Sequence, residues 1–210
     1  MGNPVFAALY DRISASNERA GFADRRAELL AGARGATLEV GAGTGLNLPN
    51  YPAAVTDLVL AEPDRHMARR LRARLSEAGR PAEVVEAPAE RLPFEDGRFD
   101  TVVVTLVLCT VRDPARALDE IARVLKSGGR LLFLEHVRAP DGARLSRWLD
   151  RLERPWGWFA GGCHPNRDTI AAVDASPLSV ESADRGEMPK APPIVRPLVA
   201  GVAVRDADDA

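Results

Sequence analysis

The chain has 210 residues, enough for one domain whose hydrophobic core needs no disulfide or metal staple. Hydrophobic residues make up 46% and charged residues 28%, an ordinary globular balance that excludes the disordered and fibrous classes. The formal net charge of -2 argues against a broad nucleic-acid-binding surface, although every basic residue except Lys126 and Lys190 is arginine. Cys109 and Cys163, the only cysteines, make neither a disulfide framework nor a four-thiolate zinc site, and with the three histidines they show no metal-ligand spacing. No apolar run reaches the roughly 18 residues of a membrane span, and Met1-Gly2-Asn3-Pro4 lacks the regions of a signal peptide. The expectation is a cytoplasmic protein, with no metal and no nucleic-acid partner; oligomeric state is left open.

Taken in order, Val5 to Ala33 reads as two helices capping a sheet. Ala36 to Val40, Asp57 to Glu62, Asp100 to Leu106 and Arg130 to Val137 are short, nearly continuous apolar runs with β-branched residues, the pattern of strands covered on both faces; Ala82 to Ala87 is a weaker one. Pro63 to Ala78 repeats Met67, Leu71 and Leu75 at helical period, with its arginines around the outside as a solvated face. Asp113 to Leu125 has Pro114 in its first turn, Leu118, Ile121 and Leu125 on one face, and Ser127-Gly128-Gly129 as a stop. Beyond Pro140 come a Trp-rich helical stretch to Gly161, a helix near Asn166 to Asp174, extended pieces at Leu178 to Ala183 and Ile194 to Val204, and an acidic tail. Alternating strands and helices imply a doubly wound α/β domain with right-handed crossovers. It divides into cap helices over 1–35, a sheet core over 36–137 and a further region with the terminal strands over 138–204.

The sharpest signal is Glu39-Val40-Gly41-Ala42-Gly43-Thr44-Gly45 at the end of the first strand. Three alternating glycines let the backbone turn tightly and meet a ligand where a Cβ would clash. Leu46 and Asn47 follow, so the loop lacks the Gly-Lys-Ser/Thr ending of a P-loop, and Leu46 stands where a dinucleotide fingerprint has its third glycine. The spacing suits a nucleoside whose non-phosphate tail lies over the loop. Glu62 ends the second strand 21 positions after Gly41, where a carboxylate accepts both ribose hydroxyls; it also reads as a helix N-terminal acid ahead of Pro63.

With these elements the chain resembles the class I methyltransferases that use S-adenosylmethionine. The resemblance is carried by the glycine loop, Glu62, Ala89-Glu90-Arg91-Leu92-Pro93-Phe94 and Arg123-Val124-Leu125-Lys126-Ser127-Gly128-Gly129. Within that superfamily it is most similar to the small alkyl thiol S-methyltransferases of the methyltransferase-like group. Thr105-Leu106-Val107-Leu108-Cys109-Thr110-Val111, Leu134-Glu135-His136-Val137, Gly161-Gly162-Cys163-His164 and Val195-Arg196-Pro197 carry that likeness over nearly the whole chain.

The resemblance implies a Rossmann-like, mostly parallel seven-stranded sheet with helices on both faces and the last strand antiparallel. It implies S-adenosylmethionine as cofactor, with Gly41, Gly43 and Gly45 around its methionine part, Glu39 near the ammonium, and Ala42, Thr44 and Asn47 sharing the loop. Glu62 would hold the ribose, Pro63 and Met67 would border the adenine, Ala89 and Glu90 would close its edge, and Thr105 and Leu106 would face the methyl group. Many relatives have an aspartate where this chain has Pro88, which leaves the adenine contacts to backbone groups or Glu90. Animal members carry an apolar N-terminal anchor that this chain starts without.

On the acceptor side His136 follows the fifth strand and His164 lies in a glycine-rich turn beside Cys163. Either histidine reads as a base or substrate contact, or as a structural hydrogen-bonding group. Cys109 and Cys163 read as substrate-side or as small buried residues. Trp148, Trp156 and Trp158 cluster with Phe159, as core packing, as the wall of an apolar acceptor pocket, or as a peripheral membrane contact without insertion. The leading expectation is methyl transfer to a small apolar molecule, thiols first. A quinol carbon, a lipid amine or a hydroxyl remain alternative acceptors, and a non-catalytic cofactor-binding protein on the same scaffold remains a further reading.

Overall fold

The computed structural model describes residues 4–138 and 162–206. Strands β1 (Gly35–Val40), β2 (Val55–Ala61), β3 (Glu83–Val85), β4 (Phe99–Thr105), β5 (Leu125–His136), β6 (Leu178–Glu187) and β7 (Pro197–Arg205) form one sheet in the order β3-β2-β1-β4-β5-β7-β6. The pairs from β3 to β5 are parallel, and β7 runs antiparallel to both β5 and β6. This is the expected Rossmann-like sheet. The chain doubles back between β1 and β4, so the carboxyl ends of the two strands open onto one crevice, where ligands of such sheets sit.

Alternation along the strands sorts the core into two faces. Leu38, Val102, Val104, Leu131 and Phe133 pack under α4 (Pro114–Val124) and α5 (Thr169–Asp174) through Leu118, Ile121 and Val173. Leu58, Leu60, Val103 and Leu132 lie on the other face with Leu30 of α2 (Ala23–Leu30) and Leu71 of α3 (Arg65–Ala78). Phe22, Cys109, Leu134, Cys163, Met188, Val195 and Leu198 form a third cluster toward the carboxyl end of the sheet.

Several boundaries differ from the expected ones. The two N-terminal helices, α1 (Pro4–Asn17) and α2, are joined by a π-helical turn at Glu18–Phe22, opened by Gly21 at φ 111°. The Lys126 to Gly129 turn lies inside β5 as a register shift, because Phe99 pairs with Leu125 while Thr101 pairs with Arg130. Helix α3 starts after Pro63, since the Asp64 carboxylate accepts from the amides of His66 and Met67 and caps it. The segment from Ile194 enters β7 only at Pro197, after a 3-10 turn at Pro193–Val195. The Trp-rich stretch, with Trp148, Trp156 and Trp158, lies outside the described residues. Replacing Asp64 by Ala is expected to cost about 1 kcal/mol of stability, the ordinary value of an N-cap, read as a lower denaturation midpoint at unchanged m-value.

Candidate active site

The crevice begins at the glycine loop. Gly41, Gly43 and Gly45 have φ of 68°, 58° and 85°, the left-handed region that disfavours side chains. A Cβ on Gly41 would lie 2.5 Å from Val107 Cγ2, and one on Gly45 2.8 Å from both Leu48 and Leu71, so these two glycines permit packing. A Cβ on Gly43 would meet nothing within 4 Å, so the space above it is open to a ligand. The Gly43 amide donates to Glu62 Oε2 and the Asp64 amide to Glu62 Oε1, both at 2.8 Å. Burial raises the Glu62 pKa and these two bonds oppose the shift. Each carboxylate oxygen keeps a second lone pair, which is what a ribose diol needs. Met67 and Ala89 are buried, Pro63 is exposed, and the Glu90 carboxylate accepts from the amides of Arg112 and Asp113 ahead of α4. Glu90 therefore braces a helix start with its side chain, and its carbonyl accepts from Arg116 Nε at 3.1 Å.

A buried polar chain underlies the loop. Asn47 Nδ2 donates to Glu39 Oε1 and the Tyr51 hydroxyl to Glu39 Oε2, both at 2.8 Å. Arg26 Nη1 donates to Asn47 Oδ1 at 3.0 Å and to Thr105 Oγ1 at 3.2 Å, while its Nε donates to Glu18 at 3.1 Å. Burial pushes Glu39 up to about 7, against the pull of Tyr51 and Asn47. Glu39, the loop from Gly41 to Thr44, Asn47 and Thr105 line a single cleft together with Tyr10 and Arg26, which the sequence reading missed. The Thr44 hydroxyl and Arg74 both donate to Asp11, tying α1 to the glycine loop.

The other side of the crevice is built around the turn after β4. Leu106 takes φ 59°, unusual for a side chain of its size. The next three amides, of Val107, Leu108 and Cys109, donate to the Glu135 carboxylate at 2.8, 3.0 and 3.2 Å. Burial pushes Glu135 up to about 7 while those bonds hold it down. His136 shares the sheet face of Leu134 and is 6% exposed. Burial pushes its pKa down to about 4, partly offset by hydrogen bonding to the backbone of Pro197 and Val195. Its Nδ1 is buried and has no partner among the described residues. The Cys109 and Cys163 thiols are hydrogen-bonded, and that bond and burial keep Cys109 protonated. His164 is half-buried, its amide donating to the Cys109 carbonyl at 2.7 Å. Trp156 and Trp158 lie outside the described residues.

Comparison with known proteins decides the family. A model of the methyltransferase domain matches residues 38–133. Thiol S-methyltransferase TMT1B of Homo sapiens is 35% identical over 181 residues, which are 84% of this chain and 74% of that protein. The chain is a class I S-adenosylmethionine-dependent methyltransferase, in the group that holds the thiol S-methyltransferases. Phosphatidylethanolamine N-methyltransferase of Cereibacter sphaeroides is also similar to the methyltransferase, 37% identical over 65% of this chain and 69% of that one. Geranyl diphosphate C-methyltransferase from Streptomyces coelicolor A3(2), solved with Mg2+, geranyl-S-thiolodiphosphate and S-adenosyl-L-homocysteine, shares the fold at TM-score 0.69 and 15% identity, over 87% of this chain and 76% of that chain. The residues present fit S-adenosylmethionine: Gly43 leaves open space above the loop, Glu62 keeps carboxylate lone pairs that would suit a ribose diol, and the cleft beside Glu39 is polar, as an amino-acid end would need.

Gly43→Ala is expected to weaken S-adenosylhomocysteine binding more than it lowers stability, whereas Gly41→Ala, which collides with Val107, lowers the melting temperature strongly; calorimetry on both variants separates the two roles. Glu39 gives a pH signature. Because its folded pKa lies above the ordinary carboxylate value, its contribution to apo-protein stability is present at low pH and is lost as pH rises toward about 7. The melting temperature of Glu39→Gln, taken relative to the unsubstituted protein, therefore rises between pH 5 and pH 7.

Proposed function

We propose that this methyltransferase acts on a small apolar thiol, with His136 as the residue that meets the acceptor. The observation that carries the reading is the buried Nδ1 of His136, which has no partner among the described residues, on the strand that gives Leu134 to an apolar cluster. Leu134, Val195 and Leu198 belong to that cluster, and His136 bonds the backbone at 195 and 197. Cys109, Cys163, Phe22 and Met188 complete it. An apolar acceptor entering from the crevice would meet this cluster, and a single acceptor atom beside it would orient one S–H or O–H donor.

Bound S-adenosylmethionine supplies an activated methyl on a sulfonium that leaves as a neutral thioether. The task of the protein is to align the acceptor with that methyl, and alignment alone supplies much of the rate. The Leu106 turn fixes the backbone that faces the crevice, and Glu135 holds it by three amides. His136, pushed down to about 4, is neutral and only weakly basic at neutral pH. It suits an acceptor that loses its proton without a strong base: a thiol ionises near pH ~8.5, an alcohol far higher. As the acceptor sulfur forms its bond to carbon, the S–H proton is received by Nδ1 or by water. The similarity to thiol S-methyltransferase TMT1B supports the same acceptor class. The similarity to phosphatidylethanolamine N-methyltransferase keeps an amine as a competing acceptor. Among the described residues, however, the one carboxylate at this turn, Glu135, already holds three amides and is poorly placed to receive an ammonium.

The test is methyl transfer from labelled S-adenosylmethionine to an alkyl thiol, a quinol, a lipid amine and a phenol, with products identified by mass. Methylation of the thiol ahead of the other three is expected; preference for any other acceptor rejects the reading. His136→Phe should lower kcat roughly 100-fold while leaving cofactor affinity within twofold. The rate should climb with ionisation of the thiol and show no inflection near pH ~6.5, the ordinary histidine value.

A further inference from the structure

We propose that Cys109 and Cys163 are a dithiol site that a hydroperoxide closes to a disulfide, and that closing it slows methyl transfer by shifting the turn after β4. The site is independent of which acceptor is methylated. Neither thiol moves a proton in the transfer step described above.

These are the only two cysteines of the chain and lie far apart in sequence, yet the fold places them in one cluster with their thiols hydrogen-bonded to each other. The backbone enforces the contact independently. The His164 amide donates to the Cys109 carbonyl at 2.7 Å, and Arg167 Nη1 donates to the Leu108 carbonyl at 2.5 Å, so the segment from Cys163 to Arg167 is pinned along the turn. The chain enters that segment through Gly162 at φ 93°, a conformation that side chains disfavour. Sulfurs one hydrogen bond apart have to approach to about 2 Å to bond, which is a movement of two side chains rather than of distant segments. A metal site does not account for the pair, because no group of three or more His, Cys, Asp or Glu side chains among the described residues could hold an ion.

Glu135 is the third member of the site, since the Cys109 thiol donates to its carboxylate alongside the three amides. A buried thiol is a poor nucleophile by itself, and a carboxylate in hydrogen-bond contact removes its proton as the sulfur reacts. Cys163 is the more exposed sulfur, at 6% against 1%, and is the one that meets the oxidant. Its attack breaks the O–O bond of the hydroperoxide, leaves Cys163 as a sulfenic acid and releases an alcohol, or water where the oxidant is hydrogen peroxide. Cys109 then attacks the Cys163 sulfur and passes its proton to Glu135. The S–S bond forms, and the sulfenic hydroxyl leaves with that proton as water, so one peroxide accepts the two electrons of one disulfide. Closure draws the Cys109 sulfur from Glu135 onto Cys163 at the end of the turn that carries the left-handed Leu106. The cleft lined by Glu39, Asn47 and Thr105 contains neither cysteine.

Intact-mass measurement of the full chain after hydrogen peroxide tests the site, and transfer rates after the peroxide is removed test its effect. The monomer should lose two hydrogens, regain them with a phosphine reductant, and form no such bond as Cys109→Ala or Cys163→Ala. S-adenosylhomocysteine affinity should stay within twofold, while methyl transfer to whichever acceptor is turned over falls roughly 10- to 100-fold, the cost of a misplaced reaction geometry, until reductant is added. With a thiol acceptor the loss should show as a lag, because the acceptor itself reopens the bond. Retention of both thiols, or addition of oxygen to a sulfur in place of the bond, overturns the site whatever the acceptor proves to be. A disulfide that leaves transfer unchanged, or that weakens S-adenosylhomocysteine as much as it slows transfer, overturns its effect on the turn.

Discussion

The site depends on one buried chain of charge beneath the glycine loop, running from Glu18 through Arg26 and Asn47 to Glu39 and Tyr51. Removing charges from water costs several kcal/mol per ion, and only close, multiple hydrogen bonds offset it. That requirement ties together elements remote in sequence: the π-helical turn gives Glu18, α2 gives Arg26, β1 gives Glu39 and β4 gives Thr105. The N-terminal helices are therefore tied to the floor of the glycine loop, and displacing α2 would strip a buried carboxylate of its balancing cation. The same desolvation leaves Glu39 poised near neutrality, where an incoming ammonium favours its ionised form.

A second local balance fixes the turn after β4. A left-handed Leu106 costs of order 1–3 kcal/mol, and such strain persists only where its surroundings over-determine it. The surroundings here are the Leu106 amide on the Leu134 carbonyl at 2.8 Å and three consecutive amides on Glu135. Bonds from amides to a charged acceptor are worth about 1.5–3 kcal/mol each, so together they exceed the strain. Val107, held in this way, packs against Gly41 and so joins the acceptor turn to the glycine loop.

The parts of this architecture that the sequence made legible are those set by backbone conformation and apolar period. The glycine loop, the strand-end acid Glu62 and the central strands follow from local rules, because glycine at positive φ and continuous apolar runs leave few alternatives. Residues whose role comes from burial at long range were not legible. Arg26 is one arginine among many, and nothing local distinguishes it from Arg25, so only the placement of α2 shows that it turns inward. The resemblance puts Glu90 at an adenine edge, and what it does not reveal is that the Glu90 carboxylate also holds the start of α4. Glu135 could have been found, because a carboxylate next to the end of an apolar strand needs a partner; the amides that satisfy it lie 26 to 28 residues away.

The two sides of the crevice differ in the charge they tolerate, and that difference bears on the chemistry. The cofactor side is densely polar, with cation and anion fixed in place. The side of the Glu135 turn carries little charge beyond that carboxylate: His136 is uncharged, Cys109 is held as a thiol, and three amides balance Glu135. Displacement of a sulfonium by a thiolate annihilates charge, so a wall of low polarity, which solvates separated charges poorly, favours the transition state over the separated ions. A thiolate is also cheaper to strip of water than a harder oxygen anion. On the thiol reading, an apolar wall with one weakly basic nitrogen therefore needs no stronger base, because desolvation raises the reactivity of the small ionised fraction that reaches it.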